Sequence, residues 1–179
     1  MIAADPQAEI YGIRKNEEEV VYWGCVFGHS RSFLVGFTDE CISNGGACAS
    51  TSHLTLAGTL LAREYSRTSF VLGDERLIEV EDLRTGRVLH SVPTGVTFPP
   101  KPKTVGDGPA TAIVLKSDGA VAWIVDTVQK NDMYQVHAVD KSGSRLLASG
   151  SDIDPKSLAL AGSTLYWTQG RKPYSATLY

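Results

Sequence analysis

A nine-residue phrase recurs along the chain with leucine four places before glycine: LTLAGTLLA at 54–62, LKSDGAVAW at 115–123 and LALAGSTLY at 158–166. The glycines are Gly58, Gly119 and Gly162, spaced 61 and then 43 residues apart. Self-similarity at roughly 40 to 45 residues constrains the fold more than any other feature, because each unit must bury its apolar face against the next copy. Inside each copy the pattern is a strand, a tight turn at the glycine and a returning strand. Gly58 interrupts the apolar run 54–66, which favours a hairpin over a helix, and no long helical stripe occurs elsewhere.

A second phrase moves in step with the first. Ile78 to Asp82 alternates, turns through Arg84-Thr85-Gly86 and returns as Arg87-Val88-Leu89; Val136 to Asp140 does the same through Ser142-Gly143 into Arg145-Leu146-Leu147. Asp82 and Asp140 are 58 residues apart, close to the spacing of Gly58 and Gly119, so both phrases belong to one unit. The unit has four strands, expected at 53–57, 60–66, 76–82 and 87–92 and again at 111–116, 120–127, 133–139 and 144–149. Three strands precede them (8–14, 19–27, 32–37) and three follow (157–161, 164–168, 174–178), about fourteen in all. The extra length between the middle units falls in Pro93 to Pro109, a long loop rich in proline, glycine and aspartate.

At these residues the chain resembles β-propeller repeat proteins. Val136-His137-Ala138-Val139-Asp140 with Gly143 looks like the third strand and turn of WD-repeat and quinoprotein-type blades, and Leu165-Tyr166-Trp167-Thr168 resembles a blade strand of lipoprotein-receptor ectodomains. The Trp-Asp ending, the Gly-His pair and the Trp after the turn are absent, and Gln169 stands where the receptor blades carry Asp, so no catalytic residue is carried over. The looser likeness is to bacterial extracytoplasmic propeller proteins of unknown function, which implies an extracytoplasmic location. The expected fold is all-β, a propeller or partial propeller of about 3.5 four-stranded antiparallel blades, with a β-sandwich as the alternative. It forms one domain over 1–179, with units near 8–38, 53–93, 110–150 and 157–179. The last unit stops at Tyr179 where a fourth strand is expected; the N-terminal segment or another chain would supply it, or the edge stays open, so homo-oligomerisation is an expectation.

Composition narrows the function classes. With 42% hydrophobic and 21% charged residues, the chain has enough apolar material for a core. A net charge of −3 without long like-charge blocks disfavours nucleic acid, and Glu17-Glu18-Glu19 reads as a solvated hairpin tip. No apolar run approaches the roughly 18 residues needed to cross a bilayer, and MIAADPQAEI lacks the regions of a signal peptide. Cys41 and Cys48 flank a Ser-Asn-Gly-Gly loop that lets them meet as a disulfide, leaving Cys25 over.

Candidate chemistry is sparse. The histidines are scattered, and strand alternation puts His137 on the surface side of its strand. Gly28-His29-Ser30 lacks a nucleophile elbow and reads as a turn. Asp152 and Asp154 form a two-carboxylate pair short of a calcium ligand set, and Gly106-Asp107-Gly108-Pro109 lacks the Lys-Ser or Lys-Thr of a phosphate loop. No cofactor is expected. The aromatic residues stand out: Trp123 and Tyr166 fall four after the glycine, in what reads as one repeated slot, and Tyr22-Trp23 lie on opposite faces of a strand. The leading expectation is a non-catalytic binding or scaffolding module that recognises a protein or glycan through blade-end loops, with Trp23, Asp107, Trp123 and Trp167 as candidate contacts. The alternatives are a propeller hydrolase or lyase, and a half-propeller assembling by oligomerisation.

Overall fold

The computed structural model describes residues 1–17, 19–38, 40–41, 47–69, 73–94, 108–127 and 133–179, without the side chains of 47, 69, 73 and 74. These residues form antiparallel strands and no helix. Sheet I contains β1 (Ala3–Asp5), β2 (Ala8–Arg14), β3 (Val20–Val26) and β4 (Ser32–Phe37). Sheet II contains β5 (Glu40–Cys41), β6 (Ala47–Ala57), β7 (Leu60–Ser69), β8 (Gly73–Asp82) and β9 (Arg87–Pro93). Sheet III contains β10 (Ala110–Leu115), β11 (Val121–Thr127), β12 (Met133–Asp140) and β13 (Gly143–Gly150). Sheet IV contains β14 (Ala159–Ala161), β15 (Thr164–Gln169) and β16 (Lys172–Thr177). Each sheet is a meander in chain order, so the arrangement is a propeller-like series of blades rather than the two facing sheets of a sandwich. The strands beyond those expected are the short β1 and β5.

The sheets stack face to face, and each gap between them is filled by one apolar cluster. Ala8, Ile10, Val26 and Val35 of sheet I meet Leu61 and Leu83 of sheet II. Leu60, Ile78 and Val80 of sheet II meet Ile113, Val121, Trp123 and Val125 of sheet III. Ala122, Ile124, Val136 and Ala138 of sheet III meet Leu165, Trp167 and Leu178 across the third gap. Strands β1, β6, β10 and β14 touch in succession, so one strand of every sheet lies along a common line. Gly24 is required at the first gap, since a Cβ there would sit 2.8 Å from Leu83. The C-terminus ties sheet IV to sheet III: Leu178 is fully buried, and the Tyr179 N–H donates to Asp140 at 2.9 Å.

Pairing register sets which neighbour each side chain meets. In sheets II and IV, Gly58-Thr59 and Gly162-Ser163 are two-residue turns, closed by Ala57 opposite Leu60 and Ala161 opposite Thr164. In sheet III the turn is one residue longer: the Lys116 N–H donates to Ala120 O at 2.8 Å around Ser117-Asp118-Gly119. Gly119 is therefore the third turn residue rather than the first, and its φ of 95° suits glycine there. One extra residue moves every following side chain to the opposite face relative to the glycine. Trp123 thus shares its slot with Trp167 and Arg63, facing the preceding sheet, while Tyr166 shares its slot with Ala62 and Ala122, facing the following one. The slot inferred for Trp123 and Tyr166 from the glycine alone is corrected accordingly.

His137 is also corrected: it is 2% exposed, not a surface residue. Both faces of a middle sheet are buried, so alternation selects a neighbouring sheet rather than inside against outside.

Candidate functional site

Turns from three sheets come together at one end of the stack. The β1–β2 turn brings Gln7, the β6–β7 turn brings Gly58 and Thr59, the β8–β9 turn brings Asp82 and Arg84, and the β10–β11 turn brings Ser117 and Asp118; they line a cleft of about 410 Å³. Each turn is built by its own polar residues. Asp82 accepts from the Arg84 backbone N–H at 3.0 Å and pairs with its guanidinium at 2.8 Å, and Asp118 accepts from the Ala120 N–H at 3.2 Å and pairs with Lys116 at 2.9 Å. The Arg84 hydrogen bond holds the Asp82 carboxyl below the usual carboxylate range, and the Lys116 contact does the same for Asp118. Both carboxylates are fixed anionic acceptors near neutral pH. An acid catalyst there would need the opposite shift.

A second polar centre lies at the gap between sheets II and III. Glu64 is 1% exposed and occupies a slot that holds Ile124 in sheet III. It accepts from Ser52 Oγ at 3.1 Å, Arg76 Nη1 at 3.0 Å and the Ala110 N–H at 3.2 Å, with His53 Nδ1 at 3.3 Å. Burial alone would raise its pKa, but His53, Arg76 and Ser52 outweigh that and hold it below the ordinary value. His53 sits at the register shift between Ser52 and Thr55 with φ 54°, an uncommon left-handed conformation for a side-chain-bearing residue. All of Glu64's partners are internal, so the cluster latches β10 onto sheet II. The sequence signal that would have revealed it is a carboxylate on the same strand face as the apolar Leu60 and Ala62.

The residues singled out from sequence separate clearly. Trp123 is 1% exposed, stacks on His137 with ring centroids 5.3 Å apart, and donates Nε1–H to Thr94 O. Trp167 is 5% exposed and stacks on Tyr174 at 6.0 Å. Both fill gaps between sheets and are not open to a ligand. Trp23 is partly exposed on the outer face of sheet I, directly opposite Tyr11 and Leu34. Asp107 lies outside the described residues, as does most of the loop around it. Asp152 accepts from Gln169 Nε2 at 3.0 Å, which ties its segment to the end of β15, and Asp154 accepts from the Lys156 N–H at 3.0 Å within a local turn; no group of three acidic, His or Cys side chains that could hold a metal ion occurs among the described residues. Cys41 and Cys48 are disulfide-bonded across β5 and β6, and Cys25 is free. No helix among the described residues is long and apolar enough to cross a membrane.

The ion pairs among the described residues each lie within a single sheet. In the cleft, polar side chains of three sheets share one space. No family model, no curated protein and no solved structure matches the chain.

Proposed function

We propose that the chain is a β-propeller-type repeat module that binds rather than catalyses, and that it takes a glycan or a polar segment of a partner protein in the turn-end cleft. The observation that carries this reading is the convergence of turns from sheets I, II and III on one polar space. Rigid strands hold such turns in place, and a repeat fold varies them without disturbing its core. The size of the cleft matches a sugar residue or a short polar segment better than a broad protein interface. Its chemistry is fixed acceptors, Asp82 and Asp118, beside the donors of Arg84 and Gln7, an arrangement suited to hydroxyl groups. The depressed carboxyl pKa values supply acceptors but no proton donor, which supports binding over hydrolysis.

The test is a glycan panel screened with the wild-type chain, followed by titration of any hit against Arg84→Ala and Thr59→Trp. Arg84 is well exposed and Thr59 lies in the turn, so both variants keep the core. Binding weakened at least about tenfold by either change supports the cleft, the loss of one charged hydrogen bond being worth roughly 1.5–3 kcal/mol. Binding indifferent to both, or turnover of the bound glycan, counts against the proposal.

A further inference from the structure

The three gaps between sheets share one construction. A cross-strand pair faces the preceding sheet: Arg63–Glu79 on β7 and β8 in sheet II, Trp123–His137 on β11 and β12 in sheet III and Trp167–Tyr174 on β15 and β16 in sheet IV. The equivalent pair in sheet I is Tyr11–Trp23, on the face turned away from sheet II. Leu34 extends that row at 53% exposed and Ile13 flanks it at 52%. At the other end of the stack, the slot held by the fully buried Ala62 and Ala122 is occupied by Tyr166, which is 43% exposed. The same face of sheet IV carries the rows Ala159–Tyr166–Ser175 and Ala161–Thr164–Thr177 without a charged side chain. No apolar cluster among the described residues joins sheet IV to sheet I.

We propose that a second copy of the chain covers both faces. The open face of sheet IV in one copy packs on the open face of sheet I in the other, and the reciprocal contact closes a ring of eight sheets. The occupant follows from continuity with the existing gaps. In each of them a surface turned to the next sheet meets a surface turned to the previous one, and sheets I and IV hold the two halves that lack this partner. Two copies make two identical contacts about a two-fold axis, and eight lies within the usual range of four to eight blades. The new gaps bury Tyr11, Trp23, Leu34, Ile13 and Tyr166, aromatic and aliphatic side chains of the kind that anchor interfaces. This assembly does not depend on what the turn-end cleft binds.

The experiment is light scattering on size-exclusion peaks of the full chain, alongside Leu34→Arg and Tyr166→Arg. Both substitutions are at exposed positions, and far-UV circular dichroism verifies that each variant keeps its sheets. The wild type should run with the mass of two chains, and each variant alone with the mass of one. Mixing the two variants should recover a dimer, because one intact sheet IV to sheet I contact remains. Cys25, on the same face of sheet I as Trp23, should react with a thiol reagent more slowly in the wild type than in Leu34→Arg. A wild-type monomer, a dimer that either variant leaves intact, or an open-ended polymer overturns the proposal.

Discussion

Between sheets I and II the slot that faces the preceding sheet holds Arg63; between sheets III and IV it holds Trp167. Arg63 bridges Glu79 at 2.9 Å and Glu81 at 3.0 Å and donates to Val35 O of sheet I. Trp167 lies among the apolar Ala138, Ile153, Leu165 and Leu178 and stacks on Tyr174. The backbone register is the same, so the slot dictates position and leaves chemistry free. A charged filler must satisfy every partner, because a buried charge left alone is costly. An aromatic filler depends on volume and contact.

The comparison breaks most sharply at Arg63. Arg63→Ala leaves Glu79 and Glu81 facing each other at a mostly buried gap, and should cost about 3–5 kcal/mol of unfolding free energy. Replacing all three by Met, Leu and Leu removes the charges together and should cost far less. Urea unfolding of both variants measures this. A loss below about 1 kcal/mol for Arg63→Ala would mean that apolar contacts alone hold sheets I and II together.

Acid should separate the gaps next. Burial lowers the His137 pKa from 6.5 to about 4, so the folded protein keeps this ring neutral while the unfolded chain takes up a proton. Stability from this residue is complete above pH 6.5 and falls as pH drops towards 4, by up to about 3 kcal/mol. Glu81 works in the opposite direction: burial outweighs Arg63 and raises its pKa, so protonation at mildly acid pH relieves the gap between sheets I and II. Unfolding curves from pH 7 to 4.5 should therefore flatten for His137→Asn and steepen for Glu81→Gln. A His137→Asn curve as steep as that of the wild type would show that His137 is open to water.

Much of this was legible in the sequence, for physical reasons that also mark where legibility ends. Turns were readable because a glycine with positive φ, such as Gly58 or Gly162, leaves a mark that no other residue type leaves. Strands were readable because alternation has a period of two. The slot of Trp123 was not, because glycine marks a turn without giving its length, and Ser117-Asp118-Gly119 is one residue longer than Gly58-Thr59. Nor was the burial of His137, since alternation in a two-sided sheet carries no inside. The cleft and the Glu64 latch are made by residues far apart in sequence, Gln7 with Asp118 and Glu64 with Ala110, and only the stacking order brings them together.

The finest distinction lies between the two tryptophans of one slot. Trp123 Nε1 has an acceptor in Thr94 O, whereas Trp167 Nε1 is buried without a partner among the described residues. Trp→Phe removes similar volume at both positions. At 123 it also leaves the Thr94 carbonyl without this donor, and at 167 it removes a buried donor that makes no bond. Trp123→Phe should therefore cost about 1–2 kcal/mol more than Trp167→Phe, the difference being one buried hydrogen bond. Paired urea titrations read it directly, at pH 7 where His137 is neutral against the ring it stacks on. Equal costs would mean that the slot is filled for its volume alone and that the Thr94 bond adds nothing to what packing already provides.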